Sequence, residues 1–199
     1  DRGRALADRL RERCPTRTVE DADLADLAAT ETPQGVLVVA ATPRTALDEL
    51  RPGEAATLLV LDAVQDPGNL GTLVRTAEAL GAIGVAALPG TVDPWNPKAI
   101  RAAAGSAFRI PIAQPTVDEF AAWAHSGDVT VYGAEAEGEA VDGVELRRRS
   151  ALVVGNEGAG LTPETRRVID RYVSVPIRGR AESLNVAVAA GILLYILTR

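Results

Sequence analysis

The run Leu58-Leu59-Val60-Leu61 has no polar side chain and ends shortly before Asp66-Pro67-Gly68. A strand with one wet face alternates apolar and polar residues, whereas a run apolar throughout needs cover on both faces, as in the centre of a parallel sheet flanked by helices. The remainder of the chain keeps to that plan. The pattern predicts a helix to about residue 80, closed by Gly81, then strands over 85–88, 108–112, 129–132, 151–154 and 172–175. Helices are predicted between them over 97–104, 117–124 and 163–169, with a last one over 184–197. Alternation of this kind predicts an α/β fold with a mainly parallel sheet.

The first fifty residues read differently. Short helices are predicted over 4–13 and 22–28, the second with Asp21 as N-cap. Brief strands are predicted over 18–20 and 36–40. Arg51-Pro52-Gly53 punctuates the chain. We therefore divide it into residues 1–52, a small incomplete α/β unit with a linker, and residues 53–199, the main domain. The chain opens on Asp1 and has no methionine, as expected of a fragment or processed form.

The final predicted helix is apolar or glycine at every position from 186 to 194, with no polar stripe. Such a helix is buried on all sides, and in a chain this small part of that burial is expected against a second subunit. The uncharged run 183–198 is shorter than the roughly 18–20 apolar residues of a spanning helix, so no membrane partner is expected. Cys14 is the single cysteine and His125 the single histidine. They exclude an internal disulfide, a zinc cluster and a His-pair metal site, and point to a reducing, cytoplasmic setting.

Three clusters each follow an apolar strand. The first, residues 61–77, carries Asn69 at a helix opening and Arg75 six residues on, roughly 9 Å along the axis. Backbone N–H groups at a helix start attract phosphate. The second, residues 152–161, places Gly155, Gly158 and Gly160 around Asn156 and Glu157, a loop that lets backbone approach a ligand closely. The third, residues 173–187, contains Val175, Ile177, Arg178, Arg180, Ser183, Leu184 and Asn185. Ser183 reads as the N-cap of the last helix. Taken singly, each cluster also reads as a capped helix, a plain turn or solvated arginines. Neither a G-x-G-x-x-G turn nor a G-x-x-x-x-G-K-[ST] loop is present, which counts against a dehydrogenase-like nucleotide enzyme.

In order and spacing the clusters resemble the N-x-G-x-x-x-R, G-N-E-G-x-G-[LM] and I-P-[MI]-x-G-x-x-x-S-L-N-V motifs of the SpoU (TrmH-like) family of RNA ribose 2′-O-methyltransferases in the SPOUT superfamily. Residues 96–106 resemble the family's N-P-K-x-x-R-x-[ST]-x-G-[AS] segment. The resemblance covers about residues 58–197. It implies a parallel α/β domain with a C-terminal deep trefoil knot, a homodimer joined through the last helix and knot region, and S-adenosylmethionine as cofactor.

By position, the resemblance makes Arg75, Asn69, Glu157, Ser183 and Asn185 the catalytic set. Gly155, Asn156, Gly158, Val175, Ile177 and Leu184 would hold the cofactor. Isoleucine and methionine are frequent where Val175 and Ile177 stand, and both changes keep an apolar cradle. No metal is implied. Arg75 is expected to place an RNA phosphate and stabilise developing alkoxide charge, because a guanidinium does not deprotonate in proteins. Residues 1–52 resemble the tail of a ribosomal-protein-like domain that recruits RNA, the run 30–36 being typical of its end. The net charge of −6 is unusual for an RNA binder. Local positive charge is expected from Arg75, Lys98, Arg101, Arg178 and Arg180, with Arg166, Arg167 and Arg171 nearby. Arg147, Arg148 and Arg149 read as a solvated face. The expected substrate is RNA, ribosomal rather than transfer RNA. The alternative is a catalytically inactive RNA-binding protein on the same fold.

Overall fold

The computed structural model describes residues 2–28, 30 and 32–199. Two compact units emerge, Asp1–Pro43 and Arg44–Arg199.

In the first unit, α1 (Arg2–Arg11) and α2 (Asp21–Leu27) form as expected. The N-cap position of α2 is Glu20 rather than Asp21, and no side chain caps it. The strands predicted over 18–20 and 36–40 are not formed among the described residues. Leu37, Val38 and Val39 are exposed there, because an apolar run without a neighbouring strand has no ladder to join. Of the run 30–36, Glu31 lies outside the described residues.

The second unit is built on six parallel strands: β1 (Ala56–Leu61), β2 (Gly84–Ala87), β3 (Ile112–Ala113), β4 (Thr130–Ala140), β5 (Arg149–Val154) and β6 (Arg171–Ser174). Their spatial order is β3-β2-β1-β5-β4-β6. β1 sits at the centre, with Leu58 opposite Gly84 of β2 and Ala151 of β5. Every β1 residue is buried, which is why its sequence is apolar throughout 58–61. Leu59 and Leu61 point into one core with α3 (Pro67–Ala79) and α7 (Val186–Leu197). Leu58 and Val60 point into the other, with Phe120 and Trp123 of α5 (Val117–Ser126). The result is three layers.

Local chemistry sets the helix starts. Asp66 caps α3, its Oδ1 accepting from the Asn69 N–H at 2.8 Å, with Pro67 at the first helical position. Asn96 caps α4 (Pro97–Ala102) through the Lys98 N–H at 2.9 Å. Thr116 and Glu119 form a capping box on α5. Gly81 ends α3 with φ +78°, a left-handed conformation that glycine adopts without strain.

Three expectations need correction. The boundary between units lies at residue 43/44, ahead of Arg51-Pro52-Gly53, because Leu47 and Leu50 are buried with Phe120 and the Trp123 indole N–H bonds the Leu50 carbonyl at 2.9 Å. The strand predicted over 108–112 shrinks to Ile112–Ala113, and Phe108 stands exposed in a 3-10 turn. β4 continues to Ala140, while α6 (Pro163–Arg166) stops short of residue 169. Within the single chain α7 buries Ala190, Leu193 and Leu194 and exposes Val188, Ile192 and Tyr195, the part of its burial expected against a second subunit.

α3 and α4 touch at Gly71, where an added Cβ would lie 2.4 Å from the Ala99 carbonyl oxygen and 2.5 Å from the Ala102 Cβ. Gly71→Ala should therefore destabilise the fold by about 1–3 kcal/mol despite its better helix propensity, read as a lower midpoint in urea unfolding. Unchanged stability would mean the two helices separate freely.

Candidate active site

The strand order reverses between β1 and β5, so the connections leaving their C-terminal ends part in opposite directions and open a crevice. Ligands of open α/β sheets bind at such a point. The first and second motif clusters are the segments that leave β1 and β5.

Asp62, at the end of β1, is 1% exposed. Its carboxylate accepts from the Thr162 N–H at 2.6 Å and the Thr162 hydroxyl at 3.1 Å, fastening β1 to the start of α6. The loop after β5 closes on itself: Asn156 and Gly160 exchange backbone hydrogen bonds at 3.0 and 2.9 Å. The Asn156 side chain braces it, Oδ1 accepting from the Gly158 and Ala159 N–H groups and Nδ2 donating to the Ala63 carbonyl at 3.0 Å. Asn156 thus shapes the loop with its side chain. Gly155 is dictated by packing, since a Cβ there would meet the Gly160 carbonyl carbon at 2.4 Å.

The three clusters meet at Asn69. Its Nδ2 donates to Glu157 Oε1 at 2.7 Å, and its Oδ1 accepts from Asn185 Nδ2 at 3.1 Å. Asn185 in turn caps α7, Oδ1 accepting from Ala187 and Val188 N–H at 2.9 and 3.3 Å. The expected cap, Ser183, is exposed two residues earlier, and α7 starts at Val186 rather than 184. An amide at Asn185 therefore has a local reason to be there.

A cleft of about 700 Å³ opens beside this junction, with Gly155, Asn156, Glu157, Gly158, Val175, Ile177, Ser183, Leu184 and Asn185 on its walls. All six residues expected to hold the cofactor line it. Ala134, Glu135, Ala136 and Glu137 form a further wall outside the sequence expectation, which ends this strand at 132. The alternation Ala-Glu-Ala-Glu was its available signal. A second hollow of about 530 Å³, lined by His125, Asp128, Arg147 and Asp170, contains none of the motif residues.

Arg75 stands apart from the hydrogen-bonded junction. It is exposed on α3, no hydrogen bond from Asn69, Glu157 or Asn185 reaches it, and no ion pair among the described residues engages it. Arg75 is therefore not oriented by direct contact with these groups. Lys98 lies 3.6 Å from Asp66, next to the start of α3. The Asn69 N–H, opposed by desolvation and aided by Lys98, holds the Asp66 carboxyl below its ordinary range. Arg101, Arg178 and Arg180 are exposed. Two other cations are already engaged. Arg166 pairs with Glu135, and Arg171 with Glu139 at 2.7 Å. Their charge is offset locally. Arg149 bonds the Gly53 and Gly127 carbonyls at 2.9 and 3.4 Å, so that residue is not part of a solvated face.

The sequence profile of the SpoU rRNA Methylase family matches residues 56–195. The chain belongs to this family. Among its relatives, the 23S rRNA (guanosine(2553)-2′-O)-methyltransferase RlmP of Bacillus subtilis is 42% identical over 167 residues, 83% of this chain and 65% of that protein. A 23S rRNA (uridine(2479)-2′-O)-methyltransferase of Streptomyces viridochromogenes is 33% identical over 172 residues, 83% of this chain and 60% of that protein. An AdoMet-bound rRNA methyltransferase from Sinorhizobium meliloti has the same fold, with a TM-score of 0.84 at 34% identity, covering 89% of this chain and 69% of the other. This SpoU chain therefore spans 65% and 60% of the two curated relatives.

Gly155→Ala is expected to force the 155–160 loop of this SpoU chain off β5 and to abolish ligand binding in the cleft, measured by calorimetry with S-adenosylmethionine. Retained binding would mean the loop shape is not part of the site.

Proposed function

We propose that the chain is an S-adenosylmethionine-dependent methyltransferase that modifies a ribose 2′-hydroxyl of RNA, ribosomal rather than transfer RNA. The observation that carries this reading is the junction at Asn69, which joins the three SpoU motifs beside one cleft. The preference for ribosomal RNA rests on the names of the two 23S rRNA methyltransferases above.

The cleft fits the cofactor. Val175, Ile177 and Leu184 offer apolar surface for an adenine ring, and the loop around Gly155 and Gly158 offers backbone groups where side chains would obstruct. When bound, S-adenosylmethionine would supply an activated methyl group. The residues of the chain then have to align the ribose, exclude water and manage the hydroxyl proton. Arg75 would hold the RNA phosphate and stabilise developing charge on the 2′-oxygen. Lys98, Arg101, Arg178 and Arg180 would guide the backbone of the RNA. Asn69, Glu157, Ser183 and Asn185 would keep the cofactor loop and the start of α7 in register. The identity of the base is left to the RNA or solvent, since Arg75 does not deprotonate.

The same reading includes a deep trefoil knot. It is supported by the path of the chain, which leaves the sheet at its edge in β6 and returns to the centre as α7, where Thr57 of β1 donates to the Leu197 carbonyl at 3.2 Å. It also includes a homodimer. Val188, Ile192 and Tyr195, at helical spacing on α7, are exposed, an apolar stripe suited to a second copy. Residues 1–43 would belong to an RNA-recruiting domain. No helix among the described residues is long and apolar enough to cross a membrane. A reducing, cytoplasmic setting suits the lone, exposed Cys14.

Arg75→Ala should lower methyl transfer to ribosomal RNA by at least about 100-fold while leaving the S-adenosylmethionine dissociation constant within about twofold. Loss of both together would make Arg75 structural and leave the inactive RNA-binding alternative standing. Ile192→Glu should convert a dimer to a monomer in analytical ultracentrifugation. A wild-type chain that sediments as a monomer would remove the dimer from the reading.

A further inference from the structure

The cleft beside Asn69 is lined by three carboxylates, Glu135, Glu137 and Glu157, and by no lysine, arginine or histidine. The three are not equivalent. Glu157 receives the Asn69 amide at 2.7 Å. Glu135 is paired with Arg166, whose Nε also donates to the Leu161 carbonyl at 3.2 Å and whose guanidinium lies 5.9 Å from the centre of the Tyr172 ring. Glu137 takes part in no ion pair among the described residues.

The backbone that carries Glu137 is held in place. Here β4 is irregular, its register against β6 jumping from Ala134 to Glu139. At the neighbouring Gly138 a Cβ would fall 2.7 Å from the Val173 carbonyl carbon, so the stretch lies pressed against β6. The Ser174 hydroxyl adds a bond to the Gly138 carbonyl at 2.8 Å. A carboxylate on a held backbone stays at the cleft wall, with only its own side-chain rotations free.

We propose that Glu137 is a specificity-determining residue that makes the cleft prefer a sulfonium-bearing ligand over the matching neutral thioether. This rests on reading the cleft as the S-adenosylmethionine site. The methyl donor carries one more positive charge than S-adenosylhomocysteine, the product left after transfer, and the two differ otherwise by a methyl group. A carboxylate without a cationic partner attracts the donor through that extra charge. Within a partly enclosed cleft the attraction exceeds its value in water. Because Glu137 is exposed, screening limits the preference to about threefold to fivefold. The same wall loosens its hold once the methyl has left, which favours exchange of product for fresh donor.

The test is titration calorimetry of the full chain with S-adenosylmethionine and with S-adenosylhomocysteine, at low and high salt, for the wild type, Glu137→Gln and Glu137→Asp. The expected result is that Glu137→Gln weakens the donor by about threefold to fivefold and leaves the product essentially unchanged. Glu137→Asp should keep most of the preference, and high salt should erode it in the wild type. An unchanged donor-to-product ratio in Glu137→Gln, or equal weakening of both ligands, overturns the proposal while leaving the cofactor reading intact. Failure of the folded wild type to bind either ligand removes the cofactor reading and the proposal with it.

Discussion

Two hydrogen bonds at Asn69 tie together three stretches of chain that are distant in sequence. A primary amide offers a donor and an acceptor on one rigid group, and here both are engaged: Nδ2 by Glu157 after β5, Oδ1 by Asn185 at the start of α7. Aspartate at position 69 would set one carboxylate against another, and leucine would make neither bond. Since Asn185 also caps α7, and Asp66 caps the helix that carries Asn69, the two helix starts and the loop between them are joined as one piece. The cleft owes its shape to that piece.

The sheet explains why these segments lie close enough to be tied. With β1 and β5 adjacent and their onward connections diverging, the ends of the two central strands share one opening. Asp62 locks one side of it to Thr162. Charge divides along the same line. The cleft wall is acidic, while Arg75, Lys98 and Arg101 stand on α3 and α4. An acidic chain can thus offer separate places to a cationic cofactor and to a polyanion.

The central strands are legible in the sequence because burial on both faces leaves a run with no polar residue, as in 58–61. Motif residues are legible through their spacing, and the structure brings Asn69, Glu157 and Asn185 together. Other features depend on contacts that sequence does not encode locally. Ser183 has the composition of a cap, but the backbone turns at Asn185. Residues 36–40 have the composition of a strand and no partner. The Glu135–Glu137 wall exists because β4 runs past its apolar segment and bulges between Ala134 and Glu139 along β6. Arg166 and Arg171 read as free cations until Glu135 and Glu139, some thirty residues earlier, are placed beside them.

The bond from Thr57 to the Leu197 carbonyl spans 140 positions, and it has a consequence for biosynthesis. β1 is made early, but one of its faces is covered by α7, which the ribosome makes after every strand of the sheet. At about 5–20 residues per second, the nascent chain carries that half-covered apolar sheet for on the order of ten seconds. Until then neither the cleft nor its junction at Asn69 can form, because Asn185 has not been synthesised. Binding competence therefore waits on the synthesis of α7 rather than arriving strand by strand.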